Sequence, residues 1–493
     1  MRAPASSDTG KLPTRLVVFH GLGSVAYGVK DSGFSTFLLL YCNLVLGMDP
    51  RTVSLALMVA LVIDGFIDPI VGYLSDRTVT NWGRRLPWLY LAPIPLAVVW
   101  ATLWAQTEAP GFWGLVGLAA AVRILVSCCE VPSVALVPEL TRDYDERTTL
   151  MRYRYLFGWG GGLLAMFFAY TVFLSGPNGM LSAHGYRNYG LFGAVLIAAA
   201  VLISALAQHS RVAVRPPPPR NPFSLSTAFI ELKECFSHRA FLILLLGGAL
   251  AYTSQGVTFS ISNYLYLFIW RLPETVWHLT ILGKAVAVGA MDVYPLVLFA
   301  SVIACFFLMP GWHRRWGKRE TAMATAVIGM VFWVMPFGLR HLGLWPQEGT
   351  SASTLPILAF FFCSNVFSVA AMISASSMMA DVVEASEVET GRRSEGVFFA
   401  GNFFMQKCAT GLGIFLTGQM LALAGLPDKA RPGDVPVEVI DHLSLSYVIV
   451  VAIFAVGIAL VLRRFPITRA DHEARVAALG AAKLNPDAEG MHP

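Results

Sequence analysis

From residue 16 onward the chain alternates between long apolar runs and short polar interruptions. The apolar runs occupy 16–46, 52–75, 87–106, 111–139, 153–175, 189–208, 240–270, 283–311, 321–343, 352–383, 396–425 and 444–463. About 20 apolar residues in a helix match the thickness of a bilayer's hydrocarbon core. Every run reaches that length, and the longer ones fit tilted or locally broken helices. In lipid each backbone N–H and C=O must find a partner inside the protein, which leaves helices and closed barrels. The runs lack the short alternating segments of barrel strands. The pattern therefore predicts an all-α membrane protein with about twelve transmembrane helices.

Composition agrees. Of 493 residues 56% are hydrophobic and 14% charged, and mean hydropathy is +0.61; soluble proteins carry roughly 25% charged residues. A soluble multidomain enzyme is excluded on that ground. The polar stretch Met1 to Arg15 lacks a short apolar region with a cleavage site, so no signal peptide is expected. Cys42, Cys128, Cys129, Cys305, Cys363 and Cys408 lie in apolar runs and Cys235 in a basic loop, without metal-ligand spacing; they read as packing residues.

The net charge of +5 matters less than where the charges lie. Arg77, Arg84 and Arg85 follow the second run, and Arg142, Arg147 and Arg152 the fourth. Arg211, Arg215, Arg220, Lys233 and Arg239 follow the sixth; His313, Arg314, Arg315, Lys318 and Arg319 the eighth; Arg392 and Arg393 the tenth. The positive-inside rule then predicts both termini in the cytoplasm and an even number of spans. The longest loop, 209–239, carries the stiff run Pro216 to Pro219 and then Leu225, Phe229, Leu232 and Phe236 at helical spacing, the pattern of a surface amphipathic helix. It divides the chain into six-helix bundles at 1–208 and 240–465, with a cytoplasmic tail at 466–493. Trp82-Gly83-Arg84-Arg85 and Trp316-Gly317-Lys318-Arg319 stand at equivalent places in the two halves, as in transporters built from an internal repeat.

Several charges fall inside the runs: Lys30 and Asp31 in the first, Asp64 and Asp68 in the second, Glu130 in the fourth and Lys407 in the eleventh. Each costs at least about 2.5–3.5 kcal/mol at mid-bilayer. Such groups are kept where they face a cavity, an ion or a partner; the bland alternative is an ion pair that locks helices, such as Lys30 with Asp31 or Glu130. Asp64 and Asp68 share a helix face about 6 Å apart along the axis. Two carboxylates that close need a bound cation, a proton or a lysine such as Lys407. That arrangement links cation binding to the state of the protein, which a symporter requires. Arg123, on the face of Glu130, neutralises Glu130 or binds an anionic group of the substrate. Lys284 and Asp292 read as a solvated vestibule.

Alternating-sign clusters at the cytoplasmic helix ends could latch two bundles together. They comprise Asp76 with Arg84, Arg85 or Arg154; Glu139, Arg142, Glu146 and Arg147; and Asp381, Glu384, Arg392 and Arg393. No ATP motif is evident. His472-Glu473 lacks a second histidine at zinc spacing and His20 stands alone, so a membrane-embedded transferase is a remote alternative and no enzyme activity is expected.

In order along the chain come Tyr27-Gly28-Val29-Lys30-Asp31, Asp64-x-x-x-Asp68-Pro69, Ser75-Asp76-Arg77, Gly83-Arg84-Arg85-x-Pro87-Trp88 and Glu130-x-Pro132. Pro138-Glu139-Leu140-Thr141, Glu146-Arg147-Thr148, Tyr153-Arg154, Ala380-Asp381 and Gln406-Lys407 follow. Together these strings resemble the glycoside–pentoside–hexuronide:cation symporters of the major facilitator superfamily, a family that includes melibiose permease. The resemblance implies the major facilitator fold and alternating access in the bacterial inner membrane. It implies that Asp64, Asp68, Ser127 and Lys407 form the cation site, for H⁺ or Na⁺. Lys30, Asp31, Glu130 and Arg154 match residues that bind the sugar or hold its pocket; Tyr27 and Arg123 complete the expected substrate set. Val134 stands in place of a stacking tryptophan, Glu130 in place of an aspartate and Ile67 in place of an asparagine, while Arg123 has no counterpart. The expected function is cation-coupled import of a sugar or glycoside, with a lysolipid or other amphiphile as the alternative cargo. No cofactor, no metal beyond a coupling Na⁺ and no nucleic acid is expected; the partners are solute and lipid, and the chain is expected to be a monomer.

Overall fold

The computed structural model describes residues 12–141, 143–176, 178–212, 239–281, 284–390 and 395–466. The expected surface helix of the long loop, the tail beyond 466, Arg142, Arg392 and Arg393 lie outside the described residues.

The chain divides into two compact units, Met1–Arg220 with Pro427–Arg431, and Asn221–Leu426 with Pro432–Pro493. In the first unit the opening run is a helix in pieces. It comprises α1 (Thr14–Leu22), α2 (Val25–Ser32), a π-helical turn Gly33–Phe37, the single turn Leu38–Leu40 and a second π-helical turn Tyr41–Val45. Then follow α3 (Pro50–Arg77), α4 (Leu86–Trp104), α5 (Gly111–Ala135), α6 (Tyr144–Phe168) and α7 (Ala183–Val212). The second unit holds α8 (Arg239–Tyr264), a β-hairpin of β1 (Val276–Ile281) and β2 (Lys284–Gly289), then α9 (Ala290–Trp316), α10 (Lys318–His341), α11 (Ser351–Thr390), α12 (Glu395–Ala424) and α13 (Val437–Leu462). Among the described residues eleven helices are long and apolar enough to cross a membrane. The interrupted run Thr14 to Val45 precedes them, so the sequence-derived count of about twelve spans agrees.

The hairpin departs from an all-α chain. The apolar run expected at 283–311 begins in β2, and its helix starts only at Ala290. Val276, Thr280, Ile281, Val286 and Val288 are β-branched, and hydropathy alone does not separate an apolar strand from an apolar helix. Lys284 therefore belongs to a strand paired with Ile281. Asp292 acts locally, because its carboxylate accepts the Gly289 N–H at 2.8 Å and closes the first turn of α9.

Helix starts follow from local chemistry. Asp49 caps α3 by accepting the N–H groups of Arg51 (2.7 Å) and Thr52 (3.2 Å), with Pro50 at the first helical position, where no N–H is needed. Asp143 accepts the Glu146 N–H at 2.9 Å and caps α6. Within each unit the packing repeats. In the first unit α2 packs on α6, α3 on α5 and α4 on α7; in the second α8 packs on α12, α9 on α11 and α10 on α13. The α2–α6 approach is close enough that a Cβ on Gly28 would stand 1.9 Å from the Gly158 carbonyl oxygen. Only glycine fits there, and this contact brings Tyr27 and Arg154 together.

Candidate functional site

The charged centre of the first unit is built on two helices, α3 and α5, with neighbours on α2 and α6. Asp64 and Asp68 lie four residues apart on α3, and Arg123 and Ser127 lie four apart on α5. One face of each helix therefore meets the other in register. The Ser127 hydroxyl is 2.9 Å from Asp64 Oδ1 and 2.6 Å from Asp68 Oδ1, and joins the two carboxyl groups. Arg123 Nη1 donates to Asp64 Oδ2 at 3.2 Å. The guanidinium also lies over the Phe34 ring, 4.6 Å from its centroid. Asp64, Arg123 and Ser127 are 2%, 5% and 3% exposed, so the Arg123 and Ser127 contacts to Asp64 form away from water, while Asp68 is half-buried. Charge-assisted hydrogen bonds are stronger there than at a surface.

Ser127 carries one hydroxyl hydrogen. It serves one of the two carboxyl contacts at a time, and the other is favourable when a proton stands on a carboxyl group.

Lys30, on α2, is buried and pairs with Asp31 at 2.5 Å, while Asp31 is largely exposed. Lys30 also lies within electrostatic reach of Glu130, Arg123 and Asp64. It thus links the expected solute residues to the carboxylate pair. On α6, Arg154 is buried, donates to Ser133 Oγ at 2.6 Å and lies over the Tyr27 ring at 5.7 Å. Tyr27 in turn is within electrostatic reach of Arg154 and Glu130. Lys30, Asp31, Glu130, Arg154 and Tyr27 are therefore neighbours of one charged network, with Asp64, Asp68, Ser127 and Arg123 as its continuation.

Arg123 differs from its sequence-based reading in one respect: its salt bridge is to Asp64 on another helix, a partner that spacing along α5 could not reveal. Lys407 is half-buried on α12 of the second unit. Residues that sequence reasoning missed include Ser133 and Phe34. A serine in an apolar helix carries no distinguishing mark, but Phe34 follows Lys30 by four positions, and that spacing was a usable signal.

A second cluster lies at the Trp-Gly-basic-basic corner. Arg84 reaches Glu139 at 2.7 Å and Arg85 reaches Asp76 at 2.8 Å and Glu139 at 3.3 Å. Burial lowers Arg85 from the ordinary arginine value while Glu139 and Asp76 raise it, and the guanidinium stays charged at physiological pH. In the second unit Lys318 reaches Asp381 at 2.6 Å. Gly83 and Gly317 have φ of 89° and 84°, a positive-φ region that favours glycine, although Gly317 joins two helices directly and Gly83 lies in the interval between Arg77 and Leu86. Arg154 bonds Ser133, and the partners of Asp76 at this corner are Arg84 and Arg85. Of the remaining sequence-derived cluster, Glu146 accepts from Thr141 Oγ1 and from the Leu12 N–H, both at 2.5 Å, and Arg147 donates to the Thr141 carbonyl.

Comparison with known proteins places this geometry. A family model described as MFS/sugar transport protein matches residues 19–469. The chain is 26% identical to an uncharacterised symporter of Synechocystis sp., over 92% of this chain and 95% of that one. It is 25% identical to an isoprimeverose transporter of Lactiplantibacillus pentosus, over 82% and 79%. Among solved structures, a bacterial homologue of the human lysosomal transporter Spinster, inward-facing and unoccupied, superposes with a TM-score of 0.64 at 14% identity, covering 92% of this chain and 98% of that one. These relatives and fold neighbours are transporters. The chain belongs to the MFS/sugar transport family: a multi-pass membrane transporter of the major facilitator fold.

Proposed function

We propose that the protein is a secondary active symporter that uses a cation gradient to import a sugar or glycoside across the bacterial inner membrane by alternating access. The observation that carries this reading is the junction at Ser127. One hydroxyl ties together two carboxyl groups held in a buried, charged centre, and Lys30 connects that centre electrostatically to the Asp31, Glu130, Tyr27 and Arg154 group. A change in charge at Asp64 is felt at Lys30, and Ser127 joins Asp64 to Asp68, so binding of ion and solute would be linked. Charged groups suit a polyhydroxylated cargo, whose hydroxyls bind best to ionised partners. The Synechocystis symporter and the isoprimeverose transporter among the relatives support both halves of the reading.

In this reading Asp64, Asp68 and Ser127 serve the coupling ion, and Lys407 keeps the assignment that the resemblance gives it. The Arg84, Arg85, Asp76 and Glu139 cluster and Asp381 keep their reading as a cytoplasmic gate that latches the two bundles, while the ion pairs at these corners tie helix ends within each unit. Both termini then face the cytoplasm. Uptake of labelled sugars, glycosides and hexuronides into membrane vesicles under imposed ion gradients tests the proposal, with a lysolipid as the contrasting cargo. Gradient-dependent accumulation of at least one sugar is expected. Accumulation of the lysolipid with none of the sugars would overturn the cargo assignment.

A further inference from the structure

The carboxylate pair does not offer the donor set that a metal ion requires. A hard cation collects about six oxygen ligands. At this site Asp64 Oδ2 accepts from the Arg123 guanidinium, and Asp64 Oδ1 and Asp68 Oδ1 both face the single Ser127 hydroxyl. Among the described residues no group of three or more His, Cys, Asp or Glu side chains is arranged to hold a metal ion. A permanent positive charge already stands on one of the two carboxylates that an alkali cation would have to bridge.

That charge is fixed in place. Arg123 is 5% exposed, its guanidinium is held over Phe34, and Phe34 itself is 2% exposed. Arg123 and Ser127 lie one helical turn apart, so α5 presents to Asp64 both the guanidinium and the hydroxyl at once. Lys30, a second positive charge, is within electrostatic reach of Asp64. A metal ion entering this centre would meet the Arg123 guanidinium at contact distance from Asp64, in a medium that screens poorly.

We propose that Arg123 is a tethered substitute for the metal ion, so that the Asp64–Asp68 pair takes no Na⁺ or Li⁺ and transport runs without an alkali-cation gradient. This inference rests on the reading of that pair as the coupling site and narrows the ion it serves. What the pair, neutralised at Asp64, leaves room for is a proton.

The test uses the full-length purified protein and NaCl itself as the probe, with choline chloride as the control. Thermal unfolding and equilibrium binding of radiolabelled sodium are read for the native protein, Asp68→Asn, Arg123→Ser and Arg123→Ser combined with Asp68→Asn. The native protein is expected to show the same melting temperature in both salts and no saturable sodium binding. Arg123→Ser, which replaces the guanidinium with an oxygen ligand, is expected to bind sodium and to melt about 2 °C or more higher in NaCl. Adding Asp68→Asn is expected to abolish that response. Should Arg123→Ser not purify as a folded protein, Arg123→Gln retains a donor to Asp64 without the charge and carries the same expectation. Saturable sodium binding by the native protein that Asp68→Asn removes would overturn the inference while supporting the coupling site. A folded neutral variant that stays insensitive to sodium would also overturn it. The coupling-site reading itself falls on a different result: gradient-driven uptake that Asp68→Asn leaves unchanged.

Discussion

The two units repeat one pattern of helix packing around different interiors. In the first unit Lys30, Asp64, Arg85, Arg123 and Arg154 are buried; in the second, Asp381 is the one buried acidic or basic side chain among the described residues, His20 in the first unit being left aside. The second unit's interior is instead laced by neutral groups. Ser260 donates to Thr417 at 2.7 Å, Asn365 to Ser301 at 2.6 Å and Tyr266 to Tyr294 at 2.6 Å. The corners remain alike, with a positive-φ glycine followed by a basic residue paired to an acid on the neighbouring helix. A basic residue beside a positive-φ glycine finds an acid in both halves, whereas buried charges gather in one. The corner pairing therefore repeats, and the charged centre does not.

Substitutions inside the two interiors sharpen this contrast most. Arg123→Ala leaves the buried Asp64 carboxylate without its guanidinium and is expected to destabilise the first unit by about 3–5 kcal/mol. Adding Asp64→Asn should recover most of that loss. Ser260→Ala in the second unit should cost only about 1 kcal/mol, the size of an ordinary neutral hydrogen bond. Thermal unfolding of the purified protein in lipid nanodiscs measures all three. Equal losses for Arg123→Ala and Ser260→Ala would break the comparison.

The corner pairs are expected to respond less, and unequally. Lys318→Ala removes the ammonium from the buried Asp381 and should cost about 2 kcal/mol. Arg84→Ala leaves Arg85 in contact with both Asp76 and Glu139 and should cost about 1 kcal/mol. The glycines should cost a similar amount. Gly83→Ala and Gly317→Ala each force a positive φ on a residue with a Cβ, at about 1 kcal/mol. The two melting shifts should match closely, and a clear inequality would show that the shared positive φ does not set the cost at both corners.

Much of the fold was legible because bilayer thickness imposes a length on every span, and the runs from Pro50 to Leu462 carry that length openly. The β-hairpin at 276–289 escaped because its second strand is apolar enough to join the run at 283–311, while its first lies in the interval between runs and reads as loop. At the site, the four-residue spacing of Asp64 and Asp68 was readable, since it lies within one helix. The Arg123–Asp64 salt bridge and the Arg154–Ser133 bond were not, because each joins helices distant in sequence and depends on which face turns inward. The Trp-Gly-basic-basic repeat was visible as letters, while the shared positive φ that gives it meaning is a property of the backbone.

Accumulation against exchange is the most direct measurement of the central claim that Asp64, Asp68 and Ser127 form the coupling site. Membrane vesicles holding the native protein or Asp68→Asn are assayed with a labelled sugar that the native protein carries, once under an imposed ion gradient and once in equilibrium exchange. The native protein should accumulate and exchange it. Asp68→Asn should retain exchange and lose gradient-driven accumulation by at least about tenfold, the scale of a lost charge-assisted interaction. Accumulation by Asp68→Asn at the native level would contradict the account.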